Sequence, residues 1–311
     1  FGVTVDQPQS HKLLNAYSEL PGAFLDTANI YSLNNPTGPF HERGQSEQFI
    51  GEWLMSSGKR SQVTLATKVM NDMGDGYAGL SAKSIAYQID QSLQRLQTDY
   101  VDLYQIHGFD DEVPVEETLA ALNDVIKSGK ARYIGCCNMN YEQIKKYQTL
   151  ADSMGLKKFI SYQNSYNLII NHRLRNQYGV FLLNDEESQE LGISLMAYRS
   201  LVNGFLAGKY KQGHQYEMLS DSQKAVERNC FNENGWNLLN VLKEVAEKNN
   251  SSIMQTTLAA YRQDSRVGVS LVGFSKMEQI HEAIASLEIE LSIEDLARID
   301  EASAKLKLPV A

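Results

Sequence analysis

Short runs of continuous apolar residues recur along the chain, several ending on a polar side chain. They are Phe1–Val5, Ala23–Thr27, Val63–Lys68, Val101–His107, Tyr133–Cys137, Phe159–Gln163, Ser194–Tyr198 and Val269–Gly273. A strand with one wet face alternates apolar and polar positions. These do not, and so they predict strands covered on both faces, as in a parallel sheet lined by helices. Between them, apolar positions return at helical spacing. Helices are expected from Ser46 to Met55, Ser81 to Leu96, Val115 to Lys127, Tyr141 to Met154, Trp236 to Lys248, Ile253 to Arg262 and Ile293 to Ala304. Ser81 is an N-cap type of residue, Pro114 stands where a missing N–H costs nothing, and Ser128-Gly129 closes a helix.

From Asp26 through Lys68, His107, Asn138, Gln163 and Tyr198 the strand ends recur about every 25 to 42 residues. Strand–helix units repeated at that spacing, joined by right-handed crossovers, predict an α/β fold of the (β/α)8 TIM barrel type in a single domain, 1–311. The gap from Tyr198 to Gly273 is longer. It holds a loop, Leu201 to Asp221, and two helical segments, so an insertion handling cofactor or phosphate is expected at about 199–265. A doubly wound open sheet would want a Gly-rich turn after an early strand, and Phe24-Leu25-Asp26-Thr27-Ala28 has none.

The chain has 311 residues, 42% hydrophobic and 22% charged, with 29 basic against 38 acidic residues and a net charge of −9. That balance gives no reason to expect nucleic acid or an anionic membrane surface as a partner. No run reaches the roughly 18 apolar residues of a membrane span, and no basic start leads into an apolar stretch, so no signal peptide is expected. Three cysteines, two of them adjacent, favour reduced thiols and a cytoplasmic setting over a disulfide framework. The six histidines are scattered without metal-ligand spacing, and no metal site is expected.

Asp26, Lys68 and His107 close three successive apolar runs, and Tyr31 follows Asp26 in FLDTANIY. Strand C-termini carry the chemistry of a (β/α)8 barrel. A phenol beside an ammonium can give up its proton at neutral pH, since the cation favours the phenolate. The segments DTANIY, LATK, SLQRLQTDYVDLYQIH and RYIGCCN, together with the runs around them, resemble the aldo-keto reductase family over nearly the whole chain. The resemblance implies that Tyr31 is the general acid, Lys68 and Asp26 tune it, and His107 orients the carbonyl oxygen. Arg95 and Asp99, with Glu47 and Trp53, are expected to be structural.

The same resemblance implies a nicotinamide cofactor. Asn138 and Gln163 would hold its carboxamide, and Tyr198 would stack on its ring. Cys137 stands where the family usually has Ser, which weakens a contact there. Tyr198-Arg199-Ser200-Leu201 replaces the family's aromatic-Ser-Pro-Leu and adds a cation. Gly204 would allow close approach and Lys209 would supply charge to phosphate. Gly273, Ser275, Lys276 and Gln279 would serve the adenosine end, with Lys276 favouring NADPH over NADH. Ala283 replaces an Asn, removing an adenine contact.

The expected function is NADPH-dependent reduction of a small aldehyde or ketone, with a sugar derivative among the candidates because of Arg199. A non-catalytic cofactor-sensing subunit resembling potassium-channel β-subunits is the alternative, since such proteins look similar around the four polar residues. A Schiff-base lyase using Lys68 would be a third class. The loop Ser32 to Arg43, with Phe40 and His41, is expected to form one wall of the substrate pocket.

Overall fold

Capping chemistry sets most of the helix boundaries. Asp6 accepts from the Gln9 amide at the start of α1 (Gln7–Ser18), a helix outside the expected set. Strand β1 (Phe24–Asp26) follows, then α2 (Gln45–Ser57), which ends on Gly58 in the left-handed region. Strand β2 (Thr64–Val69) leads to α3 (Ala82–Leu96), whose first turn is capped by Ser81 as expected. Then come β3 (Val101–Ile106), α4 (Val115–Lys127), β4 (Ala131–Cys137) and α5 (Tyr141–Met154). An Asn140–Gln143 capping box starts α5, and its reciprocal side-chain bonds satisfy two amides that helix geometry leaves open. The chain continues through β5 (Phe159–Ser165), α6 (Asp185–Leu191) and β6 (Ser194–Tyr198) to a 3-10 segment, Val202–Ala207. It ends with α7 (Asp221–Cys230), α8 (Glu233–Lys248), α9 (Ile253–Arg262), β7 (Val267–Ser270), α10 (Met277–Ala285) and α11 (Ile293–Ala304).

The structure is a computed structural model that describes residues 1–2, 5–32, 43–171, 180–218 and 220–306. They form two compact units, one of Phe1–Tyr162 with Leu191–Ile193 and Phe274–Met277, the other of Gln163–Glu190, Ser194–Gly273 and Glu278–Ala311. The run expected as a first strand falls partly outside the described residues. Of its members, Phe1, Gly2 and Val5 are described and are not in a strand. The expected pocket wall, including Phe40 and His41, also lies outside them.

In the first unit β1 pairs with β2, β2 with β3 and β3 with β4, all parallel. The registers place Asp26 opposite Ala66, and Lys68 opposite Gln105. β3 is buried at every position, Asp102 and Gln105 included. Consecutive residues of a strand face opposite ways, so Lys68 and Thr67 leave β2 on opposite sides. On the Thr67 side, its hydroxyl donates to Glu47 Oε1 at 2.6 Å, and Arg95 Nε donates to Glu47 Oε2 at 2.7 Å. Glu47 is fully buried, so Arg95 supplies its charge partner. Gly51 lets α2 lie against the last turn of α3: a Cβ there would sit 2.1 Å from the Arg95 carbonyl oxygen. Arg95, Glu47 and Trp53 thus have the structural places expected of them, Trp53 donating to Asn15 Oδ1 at 2.8 Å.

In the second unit β6 pairs parallel with β7. Its core gathers Phe205, Leu206 and Tyr210 with Leu238, Leu242, Val245 and Ala259. The apolar residues of the 3-10 segment are thereby anchored under α8 and α9. Tyr261 donates to the Ser200 carbonyl at 2.7 Å and accepts from the Leu168 amide at 3.1 Å.

Breaking a buried ion pair by removing one partner strands a charge. Glu47→Ala should therefore cost about 3–5 kcal/mol of stability, read as a lowered midpoint in urea unfolding. An unchanged midpoint would show that Arg95 does not depend on this carboxylate.

Candidate active site

Lys68 lies at the end of β2 with its side chain fully buried, and three oxygens surround its ammonium. It donates to Asp26 Oδ2 at 2.6 Å, to the Thr27 carbonyl at 2.8 Å and to Tyr31 Oη at 3.1 Å. The register of β1 on β2 brings Asp26 within reach, and the Thr27 amide, donating to the Ala66 carbonyl at 3.0 Å, extends that register by one bond. The Tyr31 ring also lies under the ammonium, its centroid 4.7 Å from Nζ. His107 follows β3, its amide donating to the Val69 carbonyl at 2.8 Å. Its ring meets Tyr31 edge-on, with centroids 5.8 Å apart. Asp26, Tyr31, Lys68 and His107, picked from sequence, are thus gathered in one place.

Two further side chains join the cluster. Gln105 Nε2 donates to Asp26 Oδ1 at 3.1 Å, while its Oε1 lies 3.7 Å from the Cys137 thiol. Asn71 Nδ2 lies 2.7 Å from His107 Nδ1. Gln105 was visible only as a polar break in a buried strand, and Asn71 had no sequence signal.

Burial governs the proton affinities. It opposes charge on Lys68, yet Asp26 and Tyr31 outweigh it and raise the ammonium's pKa, so Lys68 is a fixed cation. For Tyr31 burial is again the largest influence and raises the phenol above its ordinary value of 10, even though Lys68 pulls it down. Lys68 thus favours the phenolate as expected from the sequence, but desolvation outweighs it. Tyr31 is consequently a loaded donor at neutral pH. His107 is pushed down to about 4 by burial and by Lys68, against Asp26, and is neutral. Burial also raises Cys137, leaving an inert thiol bonded toward Gln105, and buries Cys136 beside the Ser161 carbonyl as a small apolar residue.

The residues expected around a cofactor fall into both units. Asn138, at φ 54°, sits just past β4 in the first unit and donates to the His107 carbonyl at 2.8 Å. Ser275 and Lys276 belong to the same unit, immediately before α10, and Lys276 is exposed. In the second unit Gln163 is buried in β5 and Tyr198 ends β6. Arg199 is exposed, with its guanidinium 5.7 Å from the Tyr198 ring centroid. Ser200 is buried, its hydroxyl donating to the Ala197 and Leu271 carbonyls at 3.3 and 3.2 Å, so it ties the corner to the chain after β7. Leu201 starts the 3-10 turn. Gly204 has φ 89° and lies against Lys209, Gly273 is exposed, and Gln279 is in the first turn of α10.

Two observations in the second unit bear on a nicotinamide dinucleotide. Ser165 Oγ is buried without a hydrogen-bond partner among the described residues, two positions along β5 from Gln163 and so on the same face. A carboxamide would supply the partner it lacks. The corner from Arg199 to Gly204 holds four residues at positive φ, Arg199, Val202, Asn203 and Gly204, in a segment that also carries Lys209. At the three non-glycine positions such backbone costs about 1–3 kcal/mol each, and strain of this kind clusters at active sites and ligand clamps. Among the described residues no group of three or more His, Cys, Asp or Glu could hold a metal ion. No described helix is long and apolar enough to cross a membrane.

Residues 2–304 match the Aldo/keto reductase family. An aldo-keto reductase of Fusarium vanettenii is 32% identical over 89% of this chain and 76% of its own length. L-glyceraldehyde 3-phosphate reductase of Escherichia coli O157:H7 is 31% identical over 87% and 78%, and versiconal hemiacetal acetate reductase of Aspergillus parasiticus 30% over 89% and 81%. The crystal structure of a proposed 2,5-diketo-D-gluconic acid reductase B aligns with a TM-score of 0.68 at 24% identity, over 96% of this chain and 84% of that one. The likeness bears out the (β/α)8 class expected from the sequence.

A depressed histidine pKa has a stability consequence. Between about pH 6.5 and 4 the unfolded chain binds a proton at His107 that the folded chain does not. This contribution is fully present above pH 6.5 and is lost as pH falls toward 4. Urea unfolding at pH 7 and pH 4.5 should show a drop that shrinks by about 2–3 kcal/mol in His107→Gln. An equal drop in both proteins would mean the imidazole is not held neutral.

Proposed function

The chain belongs to the aldo/keto reductase family, and on that premise we propose that Tyr31 protonates the oxygen of a small aldehyde or ketone as it is reduced. The family folds as a (β/α)8 barrel, and the protein is a nicotinamide-dependent oxidoreductase acting on small carbonyl compounds. The observation that carries the residue assignment is the buried Lys68 ammonium, held between Asp26 Oδ2 and Tyr31 Oη at 2.6 and 3.1 Å. When bound, the cofactor supplies the hydride. As negative charge grows on the carbonyl oxygen, Tyr31 donates its proton and Lys68 stabilises the phenolate left behind. Asp26 keeps Lys68 in place, and Gln105 holds Asp26. The neutral His107 donates to the same oxygen and fixes its direction.

Asn138 and Gln163 would hold the carboxamide, with Ser165 beside Gln163, and Tyr198 would stack on the ring. The cationic side chains Arg199, Lys209 and Lys276 suit phosphates. We take the chain as one catalytic domain, with 199–265 as its cofactor-facing insertion. NADPH is the preferred form, since Lys276 is exposed just before α10, where an anion also gains from the helix amides. Arg199 favours a polar or anionic substrate such as a sugar derivative, and the phosphorylated aldehyde named for one relative agrees with this. The three described cysteines are buried free thiols, which supports a cytoplasmic setting.

Tyr31→Phe should lower kcat by at least about a hundredfold, the usual worth of a positioned acid, while cofactor affinity by fluorescence titration stays unchanged. Turnover retained in that variant would sink the assignment. Lys276→Met should weaken NADPH binding by about 10- to 100-fold, the range of one charge-assisted hydrogen bond, and leave NADH binding as it was. Equal effects on both would remove the 2′-phosphate role.

A further inference from the structure

The Asn71 side chain reaches the edge of this cluster. It stands in the segment after β2, with its amide nitrogen 2.7 Å from His107 Nδ1. An amide nitrogen carries two hydrogens and accepts nothing, so at this distance Nδ1 must be the acceptor. A neutral imidazole has one proton, and with Nδ1 accepting, that proton is on Nε2. We propose that Asn71 is a positioning residue, which compels the His107 ring to carry its proton on Nε2 and so to act as a donor to the carbonyl oxygen. This deepens the reading above and rests on it, because it presumes that His107 orients substrate.

Independent features converge on the same contact. The backbone of His107 is fixed on both sides, its amide by the Val69 carbonyl and its carbonyl by Asn138 Nδ2 at 2.8 Å. What remains free is the ring's rotation and tautomer, and Asn71 sets both. Met70, between Val69 and Asn71, has φ 138°, a conformation that L residues rarely adopt. Its carbonyl is held by the Gly79 amide at 2.7 Å, and its sulfur lies over Gly108, where a Cβ would come within 3.2 Å. The strained turn is thus fixed by contacts of its own, and it delivers the Asn71 amide to the residue that follows β3. Among the described residues the charged and titratable groups facing the ring are Lys68, Asp26 and Tyr31. Burial and Lys68 hold the ring uncharged against Asp26, so tautomer rather than charge decides whether Nε2 can donate. The opposite amide orientation would place the proton on Nδ1 and leave Nε2 without one.

The test is a long-range proton–nitrogen correlation spectrum of the full chain labelled with nitrogen-15 at histidine, at pH 7, with His107 assigned by its loss in His107→Gln. A protonated Nε2 and a bare Nδ1 are expected. In Asn71→Leu the ring should become a mixture of tautomers, with kcat falling about tenfold, the worth of one hydrogen bond, and KM nearly unchanged. In Asn71→Asp the carboxylate should draw the proton to Nδ1 and raise the ring's titration above its native position. A proton on Nδ1 in the native protein would overturn the proposal, and so would an unchanged tautomer and kcat in Asn71→Leu. The native spectrum decides even if a variant does not fold. If His107→Gln keeps full kcat, the orienting role of the imidazole falls and the positioning role falls with it, although the native ring spectrum is untouched.

Discussion

A lysine ammonium with no exposure to water is the constraint to which the described site answers. Moving such an ion out of water costs several kcal/mol even after relaxation, and the folded chain offsets that cost only if oxygens arrive at hydrogen-bond distance. Asp26, the Thr27 carbonyl and Tyr31 do so. All three belong to β1 and the residues just after it, so the pairing of β1 with β2 is a condition for burying Lys68. The second oxygen of Asp26 is taken up by Gln105 on β3. Three adjacent strands are therefore tied through one charge.

The same dryness shapes the chemistry. It raises the phenol and lowers the imidazole, so the cluster presents two neutral donors beside one permanent cation. This arrangement suits reduction better than a phenolate poised to form at rest. The donors remain protonated through the neutral range, and in the proposed step the cation's stabilisation would be realised only as the proton leaves Tyr31, which is when it would accelerate reduction. On the roles proposed above, Lys68 would act on the transition state more than on the resting acidity of Tyr31, because burial already keeps the phenol protonated.

Much of the framework was legible because predominantly apolar runs without alternation have few alternatives. β2 through β6 lie within two residues of their expected limits, and α4, α5, α9 and α11 coincide with theirs. Helices α1, α6 and α7 were missed for a physical reason: QPQSHKLLNAYS, DEESQEL and DSQKAVERNC are rich in polar residues, and capping by Asp6 and Ser220 carries information that apolar spacing does not. Within the site, Asp26, Lys68 and His107 were readable as polar ends of buried strands. Gln105 acquires meaning only through its register opposite Lys68, and Asn71 only through the unusual backbone of Met70. Neither relation is local in sequence.

The alternation of β2 shows why the register is so firmly set. Lys68 meets Asp26 on one face, and Thr67 meets Glu47 on the other, where Glu47 is already paired with Arg95. A slip of one residue would exchange these faces. It would put the Lys68 ammonium beside Arg95 and offer Asp26 a hydroxyl in place of a cation. One face would then hold two positive charges around one carboxylate, and the other a partly buried acid without a counter-charge. Each is penalised by desolvation and like-charge repulsion. The structural ion pair behind the strand and the candidate catalytic pair in front of it therefore exclude the same misfold, so Glu47 and Arg95 support Lys68 without touching it.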